Sequence, residues 1–281
     1  MTDGKIYYGD SIWVWTIKNE WFGREGKENF FIKKRRLPPD AYYKPEEVID
    51  VFHTKNIIYY PCHDLPDDTS DLCNTRDFHK VLYSISGDPW TGLNRTLEIA
   101  SMLGRFSHTY KGIYGMIIDD YSTLISDVVN GKNNSPEPEE MKLIYNALKE
   151  YNNLLNLYGC IYTHHLNLNF SQYLPFIDGI SLWVRNSQDL INIDNYVSEA
   201  MKIFSGKDIY LGLYIYEYSY VSDFEIPLEL IKFEFEKAYK YLTEGKIKGF
   251  QIMGSYLKSE LNSEQCKWIS DFIKKKFFLS K

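Results

Sequence analysis

The sequence predicts one (β/α)8 barrel covering residues 1–281 as a single domain. Three observations lead there. Short β-branched or aromatic runs recur along the chain, separated in a repeating order by polar stretches and helical periods. Most of these runs are apolar throughout, as in Met116-Ile117-Ile118, which suits parallel strands covered on both faces better than antiparallel strands with one wet face. The length of 281 residues also fits, because barrels of this kind fold as one unit of about 250 residues.

Eight strands are expected: Ile12 to Ile17, Ile57 to Pro61, Val81 to Ser86, Gly115 to Ile118, Gly159 to Thr163, Gly179 to Val184, Ile209 to Tyr216 and Gly249 to Met253. Helices are expected between them at Pro45 to Phe52, Asn94 to Phe106, Pro138 to Leu155, Ile193 to Phe204, Pro227 to Leu242 and Ser263 to Phe277. Pro45-Glu46-Glu47, Pro138-Glu139-Glu140 and Pro227-Leu228-Glu229 place proline and acids in a first helical turn, where the missing N–H costs nothing and the helix dipole favours negative charge. Gly206 and Gly245 follow apolar helical periods, the place for a left-handed C-cap. Met141, Ile144, Leu148, Tyr151 and Leu155 mark one apolar helical face. Leu65 to Phe78 and Asn167 to Phe176 are too irregular to read as full helices, so the second and fifth crossovers are expected to be imperfect. A doubly wound open sheet ranks below the barrel because no G-x-G-x-x-G or P-loop spacing follows the first strand.

Composition narrows the function classes. The hydrophobic fraction of 44% and charged fraction of 25% are those of a globular chain. A net charge of −6 argues against nucleic acid as a partner, since phosphate binding needs a concentrated basic surface. The short cluster Lys33-Lys34-Arg35-Arg36 reads as a solvated loop. Cys62, Cys73, Cys160 and Cys266 lie too far apart for a zinc ribbon or a disulfide framework. No apolar stretch has the length of a secretory signal or a membrane span, so the chain reads as cytoplasmic with no membrane partner.

Barrel enzymes build their sites at the C-terminal ends of the strands, so the polar residues just after each run are the candidates. Asp119-Asp120 stands out: two adjacent acids resist burial unless a cation or a task faces them. Strand alternation sends one of them into the mouth and the other sideways. The competing reading is a cap or an ion pair with Arg185. Glu217, between Tyr216 and Tyr218, offers a carboxyl in an aromatic setting at the seventh strand's end, where burial raises its pKa. A protonated acid and an ionised partner are what cleavage of a glycosidic bond requires. Asp120 and Glu217 are therefore the expected carboxylate pair, with Asp119 and His164 orienting groups or substrate. Arg185 is a candidate clamp for an acidic sugar. Aromatic residues make up 16% of the chain and offer flat faces for sugar rings. Trp90 leads these candidates, in the rim segment Asp88-Pro89-Trp90, and Tyr121, Tyr216 and Trp15 complete the set. Metal ligation by His164-His165 with the acids is the weaker reading, because adjacent histidines on a strand point opposite ways. No cofactor is called for.

The segment Gly115-Met116-Ile117-Ile118-Asp119-Asp120-Tyr121, with Gly179-Ile180-Ser181-Leu182-Trp183 and the barrel pattern, resembles the broad group of TIM-barrel glycoside hydrolases over most of the chain. In the large retaining clan of that group the acid/base and the nucleophile follow the fourth and seventh strands. The resemblance maps them onto Asp119 or Asp120 and onto Glu217. The chain departs from the clan in having Asp-Asp where the clan has Asn-Glu. It lacks the Asp-x-Asp-x-Glu spacing of chitinase-like barrels. Polysaccharide deacetylases share the Asp-Asp pair, but Tyr121 stands where they have glycine and no His-x-x-x-His accompanies it.

The expectation is thus a glycoside hydrolase acting on an oligosaccharide or glycoconjugate. A catalytically silent barrel that binds carbohydrate or scaffolds a partner is the alternative, and a metal-dependent hydrolase ranks third.

Overall fold

The computed structural model describes residues 8–17, 45–60, 75–85, 91–132, 135–216, 226–253 and 263–278. Eight strands close into an all-parallel barrel in sequential order: β1 Ile12–Ile17, β2 Asn56–Tyr60, β3 Lys80–Ile85, β4 Ile113–Ile118, β5 Asn156–Tyr162, β6 Gly179–Trp183, β7 Asp208–Leu213 and β8 Gly249–Ile252. β1 pairs with both β2 and β8, which leaves no open edge. Around it, among the described residues, run α1 Pro45–Phe52, α2 Leu93–Phe106, α3 Tyr121–Val129, α4 Pro138–Lys149, α5 Ile193–Ile203, α6 Leu228–Thr243 and α7 Ser263–Ile273. The (β/α)8 expectation is met.

The differences from expectation are local. α4 ends at Lys149 instead of continuing to Leu155. Asn152 Oδ1 accepts the Leu154 N–H at 3.1 Å, an Asx turn that competes with the next helical hydrogen bond. Tyr151 is consequently exposed, and the apolar face stops at Leu148. β5 takes up the chain at Asn156, three residues earlier than its apolar run suggests. β7 leaves the ladder after Leu213, and Tyr214 turns onto Trp183 at 4.7 Å between ring centroids. The fifth crossover is built from 3-10 turns at Thr163–His165 and Leu174–Phe176, as its irregular sequence implies. Gly206 and Gly245 take φ of 79° and 69°, the left-handed caps expected of them.

Helix α3 was not anticipated. Its sequence, Tyr-Ser-Thr-Leu-Ile-Ser-Asp-Val-Val, is poor in strong helix formers. Burial of Tyr121, Leu124 and Ile125 at i, i+3 and i+4 outweighs that weakness.

Strand register fixes which side chains fill the barrel. Trp13 and Trp15 of β1, Tyr158, Cys160 and Tyr162 of β5, Ser181 and Trp183 of β6, Tyr210 and Gly212 of β7 and Gln251 of β8 share the inner face. Gly212 is required there, because a Cβ would come within 2.0 Å of the Trp183 ring. Between β3 and β4 the register shifts: Val81 pairs with Ile113 but Leu82 pairs with Gly115. Tyr114 is the extra residue of a bulge. Beyond it Gly115, Ile117 and the residue after Ile118 point inward with Asn156, Tyr158 and Cys160.

Candidate active site

Asp119 follows β4 and extends its ladder by donating its N–H to the Ile85 carbonyl at 3.0 Å. The bulge sends its side chain into the barrel mouth. There Cys160 donates a thiol hydrogen bond to the carboxyl, and the Trp183 indole N–H donates to the Cys160 sulfur. Residue 119 keeps some surface open at the mouth while protein packs round its carboxyl. Burial, and then the charge of Asp120, push its pKa up to about 8, against the opposing pull of the Asp120 N–H and Cys160. Both effects favour the protonated form of Asp119.

Asp120 lies in the left-handed region at φ 51° and ψ 23° and caps α3 with its carbonyl, which accepts the Thr123 and Leu124 N–H groups at 2.8 and 3.1 Å. Such a conformation in a non-glycine residue at a strand end is a local cost tolerated best by Asn and Asp. It folds the Asp120 N–H onto Asp119 Oδ1 at 2.9 Å and turns the Asp120 carboxylate to the rim, where Tyr162 Oη donates to Oδ1 at 2.5 Å.

Tyr162 is the hub of the rim. It ends β5, points inward beside Trp183, and its N–H donates to Ser122 Oγ at 3.0 Å, tying β5 to the first turn of α3. His164 stacks on its ring at 5.6 Å and 17°, and the Arg185 guanidinium lies 5.6 Å from the same ring's centre. His165 Nδ1 sits 3.0 Å from Ser122 Oγ. Burial, His164 and Arg185 hold His165 down to about 4, and burial with Arg185 lowers His164. Both rings are neutral at neutral pH. Their centroids are only 4.1 Å apart, contrary to the opposed orientation expected of a strand. The reason is that Thr163–His165 is a 3-10 turn.

Below the rim, Trp183 packs edge-on against Trp15 at 6.2 Å. Trp15 is 3% exposed and belongs to this aromatic floor rather than to the open mouth. Tyr121 is corrected more strongly. It is fully buried on the outer side of the sheet, its ring filling the space that Gly159 leaves by lacking a Cβ, so it does not line the mouth. Tyr216 is 1% exposed and packs on Tyr214 at 6.0 Å, which makes it a wall rather than a free stacking face. Asp88, Trp90 and Glu217, like Lys33 to Arg36, lie outside the described residues. Asp119, Asp120, His164 and Arg185 are brought together. Tyr162, Cys160 and Ser122 join them without having been singled out, and His165, named with His164 in the metal reading, lies beside them. Alternation along Tyr158, Cys160 and Tyr162 was the signal, since it carries an inward residue to the last position of β5. Among the described residues no group of three His, Cys, Asp or Glu side chains is placed to hold a metal ion. No described helix is long and apolar enough to cross a membrane.

The closed barrel is the TIM-barrel fold, and its fold is similar to that of several solved glycoside hydrolases. A glucosidase from Croceicoccus marinus superimposes with a TM-score of 0.53 at 12% identity, over 84% of this chain and 66% of its own. The GH99 endo-alpha-mannosidase from Bacteroides thetaiotaomicron gives 0.53 at 11% identity, over 96% of this chain and 99% of its own. A GH10 endoxylanase from a sugarcane soil metagenome gives 0.53 at 9% identity, over 92% and 90%. At these identities the likeness is one of fold. No protein-family model matches the chain, and no curated protein matches it in sequence.

Proposed function

We propose that this chain hydrolyses a glycosidic bond, with Asp119 as general acid and Glu217 as the second carboxylate. One observation carries the reading: an inward carboxyl at the end of the fourth strand, packed round by protein and bonded to Cys160, whose pKa burial and then Asp120 raise above the ordinary carboxyl value. Such a group can protonate a departing glycosidic oxygen at neutral pH. In this reading Glu217, next after Tyr216 in the sequence, supplies negative charge to the oxocarbenium-like centre, as nucleophile or as base for water. Asp119, deprotonated by the first step, then accepts a proton from water and returns to its starting state. Asp120, clamped by Tyr162, maintains the negative field that keeps Asp119 protonated. His164 and His165 hydrogen-bond sugar hydroxyls, and Arg185 favours a sugar bearing a carboxylate.

The test compares hydrolysis of 4-nitrophenyl glycosides with hydrolysis of alkyl glycosides of the same sugars, including glucuronides. Nitrophenolate leaves without protonation and an alkoxide does not. Asp119→Asn is expected to lose about 100-fold or more on alkyl glycosides and much less on nitrophenyl ones, whereas Glu217→Gln loses both. Sugar binding with no turnover of any glycoside by the unaltered protein would establish the silent-barrel alternative instead.

A further inference from the structure

A second concave site lies at the opposite end of the barrel. A cavity of about 560 Å³ is lined by Arg76, His79, Lys80 and Lys111, with Phe78, Tyr110 and Tyr114 as its aromatic walls. Lys80 and Tyr114 belong to the N-terminal ends of β3 and β4. Asp119 is six residues beyond Ile113, about 20 Å away along the strand. None of the described groups of the mouth lines this cavity.

Its charge runs against that of the molecule. The chain carries a net −6, yet among the described residues three formal positive charges and a histidine line this cavity, and the carboxylate of Asp10 reaches two of them from the side. Low-dielectric walls focus such a field and concentrate anions. The chain itself supplies a demonstration: Asp10 places Oδ2 2.9 Å from Lys80 Nζ and Oδ1 3.2 Å from His79 Nδ1. A carboxylate is thus already held, from the side, by two of the four basic groups. Lys111 and Arg76 complete the lining and are exposed, with Arg76 only weakly engaged by Asp77 at 3.9 Å. Tyr114 closes the inner wall. Its ring leans on Trp13 at 5.4 Å and stacks with Tyr158 at 6.5 Å, with Lys80 Nζ 5.3 Å from its centre. The wall is therefore fixed, with cation and aromatic face side by side.

We propose that this cavity at the N-terminal face binds a small phosphate monoester carried on a sugar ring, its phosphate among Lys80, His79, Lys111 and Arg76 and its ring against Tyr110 and Tyr114. Several cations suit a dianion better than a single carboxylate. The site stands apart from the hydrolytic reading and does not depend on it.

Calorimetric titration of the whole protein with glucose 6-phosphate, inorganic phosphate and glucose tests this. Glucose 6-phosphate is expected to bind more tightly than inorganic phosphate, and both to weaken with added salt. Neutralising the two exposed cations together, Arg76→Gln with Lys111→Gln, is expected to weaken both phosphates at least tenfold and to leave any binding of glucose unchanged. Asp10→Asn releases Lys80 and His79 and is expected to tighten phosphate binding severalfold. Absence of heat with both phosphates at millimolar concentration, or equal affinity in the doubly neutralised variant, overturns the site. Unchanged or weaker binding in Asp10→Asn overturns the placement of phosphate beside Lys80.

Discussion

Tyr162 Oη donates a 2.5 Å hydrogen bond to Asp120 Oδ1, while the backbone N–H of the same tyrosine holds Ser122 of the same turn. One residue at the end of β5 therefore sets both the backbone and the side chain of the acidic turn after β4. Tyr162→Phe removes the side-chain bond and keeps the backbone one. A hydrogen bond to a carboxylate contributes about 2 kcal/mol, so a loss of that size is expected in urea unfolding at pH 7. Glycoside hydrolysis should fall with it, because Asp120 no longer holds its place beside Asp119.

Asp119 makes stability depend on pH. Its folded pKa is about 8 against an ordinary 3.8, so between those values the folded chain binds the proton that the unfolded chain releases. Its contribution is complete below about pH 4 and is lost as the pH rises through 8. Asp119→Asn should flatten the stability profile across that window, measured as the urea midpoint from pH 5 to 9. A slope unchanged by the substitution would place the proton elsewhere.

Arg185 acts on the histidines through space. It is among the causes that lower both His164 and His165. In Arg185→Ala both imidazoles should titrate at higher pH in NMR spectra, and His165 should remain the lower of the two because His164 lowers it in addition to burial. His165 is depressed to about 4, so it contributes stability above about pH 6.5 that is lost as the pH falls through 4. That acid-side loss should shrink in the variant.

Gly212→Ala brings a methyl group within 2.0 Å of Trp183 Cδ2. The indole is wedged between Trp15 and Tyr214 and has no empty side to move into. Overpacking of this kind costs about 3 kcal/mol, and the displaced ring should lose its donation to Cys160. A lower melting temperature together with altered tryptophan fluorescence would report both effects.

The barrel was legible because parallel strands buried on both faces write themselves as uninterrupted apolar runs, and β1 and β6 begin where those runs begin. Edges were less so. Asn156 belongs to β5 although it is polar, since strand pairing with Gly115 recruits its backbone whatever the side chain. The acidic turn drew notice from charge alone, as two adjacent acids after an apolar strand resist burial, and the pair divides the two readings between them: Asp119 faces the mouth and Asp120 caps α3. Which of the two faces inward was not legible, because that depends on pairing between β3 and β4 rather than on local sequence. Tyr162 was hidden for the opposite reason: a tyrosine closing an apolar run looks like any strand residue until its partner across the turn is in place.

The extra residue at Tyr114 has one more consequence. Side chains of a strand alternate, so drawing that residue into the ladder opposite Leu82, which slips the pairing by one, would hand the inward position from the first aspartate to the second. The doubled acid makes β4 forgiving of such an error. Either frame leaves a carboxyl at the lumen, and a lineage could gain or lose the bulge without ever passing through a barrel whose fourth strand ends in no acid.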